Sequence, residues 1–141
     1  MNNVVFIVWQ DSYSVGIKLM DEQHQFLIHL INELYGESQA HTAEKNVSNI
    51  LDQMIRYSRF HFSAEEIMLK NAKYPNLDNQ IKEHREYVAR VLDFQSQMLV
   101  NQEIISLEVL HFLKEWWIGH IQGHDQLYRQ FFLEKGLLTV E

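Results

Sequence analysis

The sequence contains no cysteine, and this absence removes three classes of site at once. Disulfide frameworks, zinc sites built from thiolates and iron–sulfur clusters all need cysteine sulfur. Any metal that this chain binds must therefore be held by nitrogen and oxygen atoms.

Proline and glycine are also scarce, with one proline and five glycines in 141 residues. Because both residues are unfavourable inside helices, a chain with so little proline favours an all-α fold. This length suits one domain with a single hydrophobic core. The hydrophobic fraction of 46% is typical of a folded chain and not of a disordered one.

Basic residues are outnumbered by acidic ones, and the net charge at pH 7 is −7. Nucleic acids and anionic membrane surfaces both attract cationic proteins, so we expect neither as a partner. No apolar run approaches the roughly 18 residues that a membrane-spanning helix needs. No basic segment precedes the short apolar run at residues 4–9, as it would in a signal peptide. These absences predict a soluble, cytoplasmic protein.

Apolar residues recur at intervals of three and four along four stretches, which predicts four helices. The predicted helices cover residues 21–35, 42–71, 77–98 and 106–132. Asp21 is placed to cap the first helix, and Gly36 is placed to end it. Long helices with short links predict an antiparallel, up-down-up-down four-helix bundle.

The bundle should occupy residues 20–135 of a single domain that covers residues 1–141. Residues 1–19 should form an extended arm, because polar residues and a glycine interrupt any regular element there and no second strand is available for pairing. We expect Phe6, Trp9 and Tyr13 to anchor this arm on the bundle.

Polar residues occupy positions where the helical pattern requires core residues. On the second helix these are His61 and Glu65, which share one face because they are four residues apart. His24, His84 and His120 take inward positions on the other three helices. Buried imidazoles and carboxylates need partners, and a shared cation would satisfy them together. Such a ligand set suits iron, and also zinc or copper, but not calcium or magnesium.

The third helix should turn one apolar face inward. The residues predicted for that face are Ile81, His84, Val88, Val91, Leu92 and Gln95. The inward stripe of this helix, like that of the second helix, therefore includes a histidine.

The fourth helix leaves two candidate ligands open. His124 lies four residues after His120 and would share its face, whereas Asp125 lies about 140° away on an ideal helix. A local distortion at Gly123 would bring Asp125 inward. Spacing therefore favours His124, and charge favours Asp125, because two carboxylates can bridge and neutralise two metal ions. Gly119 and Gly123 would each cost about 1 kcal/mol in a plain helix, so a nearby group must need the space or the backbone freedom.

Three segments of the sequence resemble the bacterial hemerythrins. They read WQDSYSVGIKLMDEQHQFLIHLINELY, YSRFHFSAEEIMLKNAKYP and FLKEWWIGHIQGHDQLY. The shared motifs are a histidine after Asp-Glu-Gln, HFxxEE, a histidine on the third helix and HIxGxD, and the resemblance extends from Trp9 to about residue 132. It implies a four-helix bundle with a non-haem di-iron centre that binds O2 reversibly.

The resemblance also implies which residues hold the metal. The implied ligands are His24, His61, Glu65, His84, His120 and Asp125. In this reading the first two imidazoles hold the iron that has an open position for O2, and the other two hold the second iron. The carboxylates bridge both irons together with a solvent-derived oxygen, so the resemblance selects Asp125 over His124.

One position departs from the family pattern. Hemerythrins normally carry HxxxH on the third helix, and here Gln80 stands where the first histidine is expected, four residues before His84. An amide oxygen is a weaker iron ligand than an imidazole. We therefore expect a weak or open position at the second iron and faster oxidation of the reduced protein.

The resemblance implies O2 binding rather than catalysis. Such domains also occur as input modules joined to output domains such as diguanylate cyclases or chemoreceptors, and Gln80 favours an oxygen or redox sensor of this kind. The alternatives are a stand-alone O2 carrier or store, a di-iron enzyme acting on peroxide or nitric oxide, and a metal-free interaction bundle. A ferritin-like site needs two Glu-x-x-His motifs, and the chain has one, at Glu108 and His111.

Overall fold

The computed structural model describes residues 6–39, 44–101 and 107–138, and these ranges contain helices and no strand. A 3-10 turn at Asp11–Tyr13 is followed by α1 (Lys18–Gln39), α2 (Glu44–Asn71), α3 (Leu77–Asn101), α4 (Leu107–Gln122) and α5 (His124–Glu134). The helices α4 and α5 follow one another as the two halves of the fourth rod. The predicted all-α, four-helix bundle is therefore confirmed.

The first helix differs from its prediction at both ends. It begins at Lys18, so Asp21 lies in its first turn and is not its N-cap. The Asp21 carboxylate instead accepts hydrogen bonds from Ser14 Oγ at 2.6 Å and from the Val15 backbone N–H at 2.8 Å. Gly36 does not end the helix, which continues to Gln39, because packing of the apolar face outweighs the roughly 1 kcal/mol that one glycine costs.

The third helix confirms only part of its predicted inward face. His84 and Val91 are buried as predicted, whereas the other four residues of that face are only half-buried. Tyr87 and Phe94, which the prediction left out, are buried instead. The inward stripe is rotated toward these two residues because α3 has apolar residues on two sides, and periodicity does not say which side meets the core.

Two apolar layers fill the bundle, and a polar layer separates them. On α1, for example, Met20 belongs to the smaller apolar cluster, Leu27 belongs to the larger one, and His24 lies between them. The smaller cluster consists of Val15, Met20, Leu69, Tyr74, Tyr128 and Phe132. The polar layer is therefore enclosed by hydrocarbon above and below.

An asparagine of α1 holds the part of the arm around Ile7. Asn32 accepts a hydrogen bond from the Ile7 backbone N–H and donates one to the Ile7 carbonyl oxygen, both at 2.8 Å. Of the three expected anchors, Tyr13 is buried, and Phe6 and Trp9 are half-buried against the core. No helix within the described ranges is long and apolar enough to cross a membrane.

Replacing Asn32 by leucine should release the arm. The Ile7 N–H and carbonyl would lose both partners in a partly buried position, so we expect the free energy of unfolding to fall by about 1–3 kcal/mol. Urea denaturation measures this change. Asn49→Leu, at an exposed position on α2, is the matched control and should change stability by less than about 0.5 kcal/mol. Equal losses in the two variants would contradict the role of the two hydrogen bonds.

Candidate metal centre

The structure brings all six predicted ligands together in the polar layer. His24 comes from α1, His61 and Glu65 from α2, His84 from α3, His120 from α4 and Asp125 from α5. Each of these side chains is buried, with at most 4% of its surface exposed. Every rod of the bundle therefore contributes at least one side chain to the centre.

The first half of the centre contains two imidazoles that face each other. The Nε2 atoms of His24 and His61 are 3.0 Å apart. His61 Nε2 lies 3.2 Å from Glu65 Oε2, and His24 Nε2 lies 3.2 Å from Asp125 Oδ2. Two imidazole nitrogens and two carboxylate oxygens thus converge on one point.

The second half repeats this arrangement with the other oxygen of each carboxylate. His84 Nε2 lies 3.1 Å from Glu65 Oε1, and His120 Nε2 lies 3.2 Å from Asp125 Oδ1. Glu65 and Asp125 each direct one oxygen to the first pair of imidazoles and the other oxygen to the second pair. This is the arrangement that two bridging carboxylates need.

The residues fit a pair of iron ions. His84 Nε2 and Asp125 Oδ2 are buried and have no hydrogen-bond partner among the described residues, because their short contacts lack hydrogen-bond geometry. Buried polar atoms without a partner are rare in proteins, and a bound cation would satisfy them. Two groups of three can each hold a metal ion, and both include Glu65, which joins His24 and His61 in one group and His84 and His120 in the other.

The electrostatics of the centre also favour a cation. Burial lowers the pKa of His24 and His120, but the facing carboxylates outweigh burial and raise these pKa values to about 9 and about 10. Burial keeps the pKa of His61 below its usual value. Burial also opposes ionisation of Glu65 and Asp125, yet the imidazoles lower the pKa of both carboxyls. Without metal the carboxylates are neutralised by imidazolium protons, which a cation would replace.

Partners outside the centre fix two of the imidazoles. His61 Nδ1 donates to Gln23 Oε1 at 2.6 Å, and His84 Nδ1 donates to Glu66 Oε2 at 2.8 Å. A hydrogen bond at Nδ1 leaves Nε2 free to bind a metal and holds the ring in place. Sequence reasoning missed Gln23 and Glu66, although both stand next to predicted ligands.

A third partner holds an imidazole of the fourth rod. His120 Nδ1 donates to Glu83 Oε2 at 3.3 Å, and His124 Nε2 lies 2.8 Å from the same oxygen. The hydrogen bond from His120 is the main reason why the pKa of Glu83 is lowered. His124 is therefore drawn to the rim of the bundle, where its side chain is 41% exposed.

A break at Gly123 gives His124 and Asp125 different directions. The helix α4 ends at Gln122 and α5 begins at His124, with Gly123 at φ −96° and ψ −86° between them. The Gly123 N–H donates to the Gly119 carbonyl at 2.8 Å. The break turns Asp125 inward, where it is fully buried, and the spacing argument for His124 assumed a helix without this break.

Gln80 reaches into the second half of the centre. It is buried, and its Nε2 donates to Asp125 Oδ1 at 2.7 Å and to Glu65 Oε1 at 3.1 Å. The same nitrogen lies 3.5 Å from His120 Nε2. Rotating the amide by a half-turn exchanges its oxygen and nitrogen, so the side chain can present either atom to this half.

Aromatic side chains enclose the centre on two sides. Trp117 is fully buried, and its ring centroid lies 6.0 Å from that of His61 and 6.4 Å from that of His24. On the other side Tyr128 Oη donates to Glu65 Oε2 at 3.1 Å, and burial raises the pKa of this phenol well above its usual value. Leu27, Ile28 and Leu113 are also buried. Tyr128 was missed.

Comparisons with known proteins agree with this geometry. The family described as "Hemerythrin HHE cation binding domain" matches residues 15–131. The bacteriohemerythrin of Stenotrophomonas maltophilia (strain R551-3) is 30% identical over 125 residues, which cover 89% of this chain and 80% of the relative. The myohemerythrin of Theromyzon tessulatum is 28% identical over 121 residues, which cover 86% and 89%.

A comparison with solved structures finds the same fold. The crystal structure of wild-type hemerythrin has a TM-score of 0.83 with this chain, at 22% identity, over 89% of this chain and 96% of that one. The predicted family resemblance is thus confirmed by the sequence matches, and the fold by the structural one. The chain belongs to the hemerythrin family, whose members hold a non-haem di-iron centre that binds O2.

Proposed function

We propose that this chain binds O2 at a di-iron centre and serves as an oxygen- or redox-sensing input for a signalling partner. One observation supports the O2-binding part of the proposal. Glu65 and Asp125 each direct one oxygen to the first pair of imidazoles and the other oxygen to the second pair. Two carboxylates with this geometry can hold two metal ions side by side.

In this proposal His24 and His61 would hold one iron, and His84 and His120 would hold the other. Glu65 and Asp125 would offer one oxygen to each iron. When bound, the irons would supply the electrons that reversible O2 binding needs. The two apolar clusters and Trp117 keep bulk water out of the centre, which protects bound O2 from side reactions.

The surrounding residues keep protons in defined places. Gln23, Glu66 and Glu83 hold the Nδ1 protons of three imidazoles. Tyr128 keeps its proton because its pKa is raised, and it donates that proton in a hydrogen bond to Glu65. A bridging carboxylate that already accepts this bond is a weaker base, so it stays ionised and available to the metal.

The sensing part of the proposal is supported by Gln80 and by a connection to the arm. Gln80 replaces an imidazole by a weaker ligand, which suits a centre that responds to oxidation. Next to Asp125, Gln126 Nε2 donates to the Ser14 carbonyl of the arm at 3.1 Å. A movement of Asp125 would thus reach the segment that precedes α1, where an output domain or another partner could detect it.

A second candidate, a stand-alone O2 carrier or store, is favoured by the comparisons. The matched regions cover 80% of the Stenotrophomonas relative and 97% of the bacteriohemerythrin of Clostridium acetobutylicum. These relatives are themselves little longer than the matched region. The carrier needs no change at the arm, and that difference separates the two candidates.

Gln80→His tests the role of the missing imidazole. We expect the reduced variant to be oxidised in air at least about tenfold more slowly than the wild type, which corresponds to about 1.4 kcal/mol in the barrier. Stopped-flow spectroscopy of the visible bands of the diferric protein measures the rate, with iron counted per chain. Gln97→His, at an exposed position on the same helix, is the control. Oxidation of Gln80→His at the wild-type rate would remove the argument from Gln80.

Hydrogen–deuterium exchange separates the sensor from the carrier. In a sensor the oxidised and reduced forms should differ in amide exchange at residues 6–17 and in α5, because Gln126 joins these segments. In a carrier the two forms should exchange alike there. Gln126→Ala removes the hydrogen bond to Ser14 and should abolish the difference at the arm while the iron content stays unchanged.

A further inference from the structure

An open groove runs along the outside of the bundle between α2 and α3. Its volume is about 600 Å³. Its apolar lining consists of Phe62, Ile67, Leu77, Ile81, Val88 and Leu92. Ile67 is 58% exposed, so this groove presents large apolar side chains directly to solvent.

The groove exists because α3 has two apolar faces. One face, which includes Tyr87 and Phe94, packs into the core. The other carries Leu77, Ile81 and Val88 and lies outward. A helix that is apolar on two sides is typical of one that is covered on both. Ile81 and Val88 of this outward face were predicted from periodicity to face the core.

The rim of the groove is cationic, although the whole chain has a net charge of −7. Arg59, Lys70 and Arg85 border it. Within the described ranges, none of these three lies within 4.0 Å of a carboxylate oxygen. The single acidic residue in the lining, Glu66, accepts a hydrogen bond from His84. The groove therefore combines an apolar floor with unpaired positive charge.

We propose that this groove binds an amphipathic helix of a partner protein, with apolar residues on one face and acidic residues beside them. The lining on α3 runs from Leu77 to Leu92, a rise of about 22 Å at 1.5 Å per residue, which suits a helix of about 15 residues. Apolar side chains spaced three and four apart would fill the floor, and flanking carboxylates would pair with the rim. A long groove that is open along its side fits a helix better than a compact ligand.

Charge disfavours a second copy of this chain as the occupant. A two-fold interface would bring two copies of the same cationic rim, each with Arg59, Lys70 and Arg85, into one contact area. Like charges in direct opposition weaken association. A partner with acidic flanks has the complementary charge.

The floor of the groove also touches the centre. The ring of Phe62 stacks on that of His84 with centroids 3.9 Å apart, and Glu66 holds His84 Nδ1. A docked helix would thus contact side chains that position one predicted ligand. This consequence rests on the proposed function, whereas the docking itself does not.

A display library of helical peptides tests the charge preference. Peptides of about 16 residues carry leucine at positions three and four apart, and their flanking positions vary among Glu, Gln and Lys. Selection on the wild-type protein should enrich Glu over Lys at the flanks. Raising the salt concentration from about 0.05 to about 0.5 M should weaken binding of the selected peptides, because it screens the rim charges. Equal recovery of Glu and Lys, or no binding, would overturn the proposal.

Groove variants then locate the binding site. Fluorescence anisotropy with the selected acidic peptide should show at least a tenfold increase in Kd, equal to about 1.4 kcal/mol, for Ile67→Asp and for Arg59→Glu combined with Arg85→Glu. Leu19→Asp and Lys18→Glu, at exposed positions on α1, are matched controls and should bind the peptide as the wild type does. Unchanged binding by the groove variants would overturn the proposal.

Two further measurements complete the test. Sedimentation of the wild-type protein alone should show a monomer, or a dimer that Ile67→Asp does not disrupt. A dimer that Ile67→Asp disrupts would assign the groove to a second copy. Ile67→Asp should also keep the iron content and the visible spectrum of the wild type. The proposals for the groove and for the metal centre can therefore be contradicted independently. A variant that loses peptide binding keeps its metal centre, and a protein without iron still has the groove.

Discussion

Glu65→Gln is expected to weaken iron binding more than about 100-fold, because even residues that only touch a ligand typically change metal affinity 10–100-fold. Glu65 is the one residue common to both groups of potential ligands. Its two oxygens face His61 at 3.2 Å and His84 at 3.1 Å. A glutamine keeps the shape but loses the charge, and it replaces one of the two oxygens by an N–H donor.

The measurement is iron per chain after dialysis, together with the visible absorption of the oxidised protein. Glu66→Gln is the matched control, since it changes the neighbouring residue of the same HFxxEE motif. Glu66 contacts His84 Nδ1 and not the centre, and a glutamine oxygen can still accept that hydrogen bond. Because Glu66 touches a predicted ligand, the control should lower iron affinity by about tenfold, the lower end of the range for such residues and clearly less than Glu65→Gln. Equal loss in both variants would contradict the bridging role of Glu65.

Gly123→Ala is expected to destabilise the fold by about 2 kcal/mol and to weaken iron binding as well. A Cβ at this position would lie 2.9 Å from the Gly119 carbonyl oxygen. Because that oxygen belongs to the backbone of α4, it cannot rotate away as a side chain would. The two helices must shift at their junction, and Asp125, two residues later, moves with α5.

Gly119→Ala gives the opposite expectation and serves as the control. Nothing lies within 4 Å of a Cβ added there, so the substitution should stabilise the helix by about 0.5–1 kcal/mol. Urea denaturation of the metal-free proteins measures both changes, and iron content is measured in parallel. A Gly123→Ala protein as stable as the wild type, with full iron content, would show that the break does not depend on glycine.

The sequence predicted two neighbouring candidate ligands on α2 because their relation is local. His61 and Glu65 are one helical turn apart, so any helix through them places both side chains on one face. Absence of cysteine limited the metal ligands to nitrogen and oxygen, and a scarcity of proline favoured helices. These conclusions need only the geometry of one helix and the chemistry of each side chain.

On the fourth rod, spacing within a helix pointed to His124, whereas the resemblance pointed to Asp125. The break at Gly123 depends on a backbone contact with Gly119, and the position of His124 depends on Glu83 from another helix. Periodicity likewise predicted one inward face for α3, and only His84 and Val91 of that face are buried. The spacing of residues within one segment cannot predict a contact between two distant parts of the chain.

The amino-acid sequence alone determined the helical class and limited the candidate ligand atoms to nitrogen and oxygen, because each follows from composition or from one turn of helix. The tertiary structure decided which carboxylate oxygen faces which imidazole and which partners hold Nδ1. Gln23 lies 38 residues from His61, Glu66 lies 18 from His84, and Glu83 lies 37 from His120. Such pairs meet only when the four rods pack, since their separation along the chain exceeds the reach of any local rule.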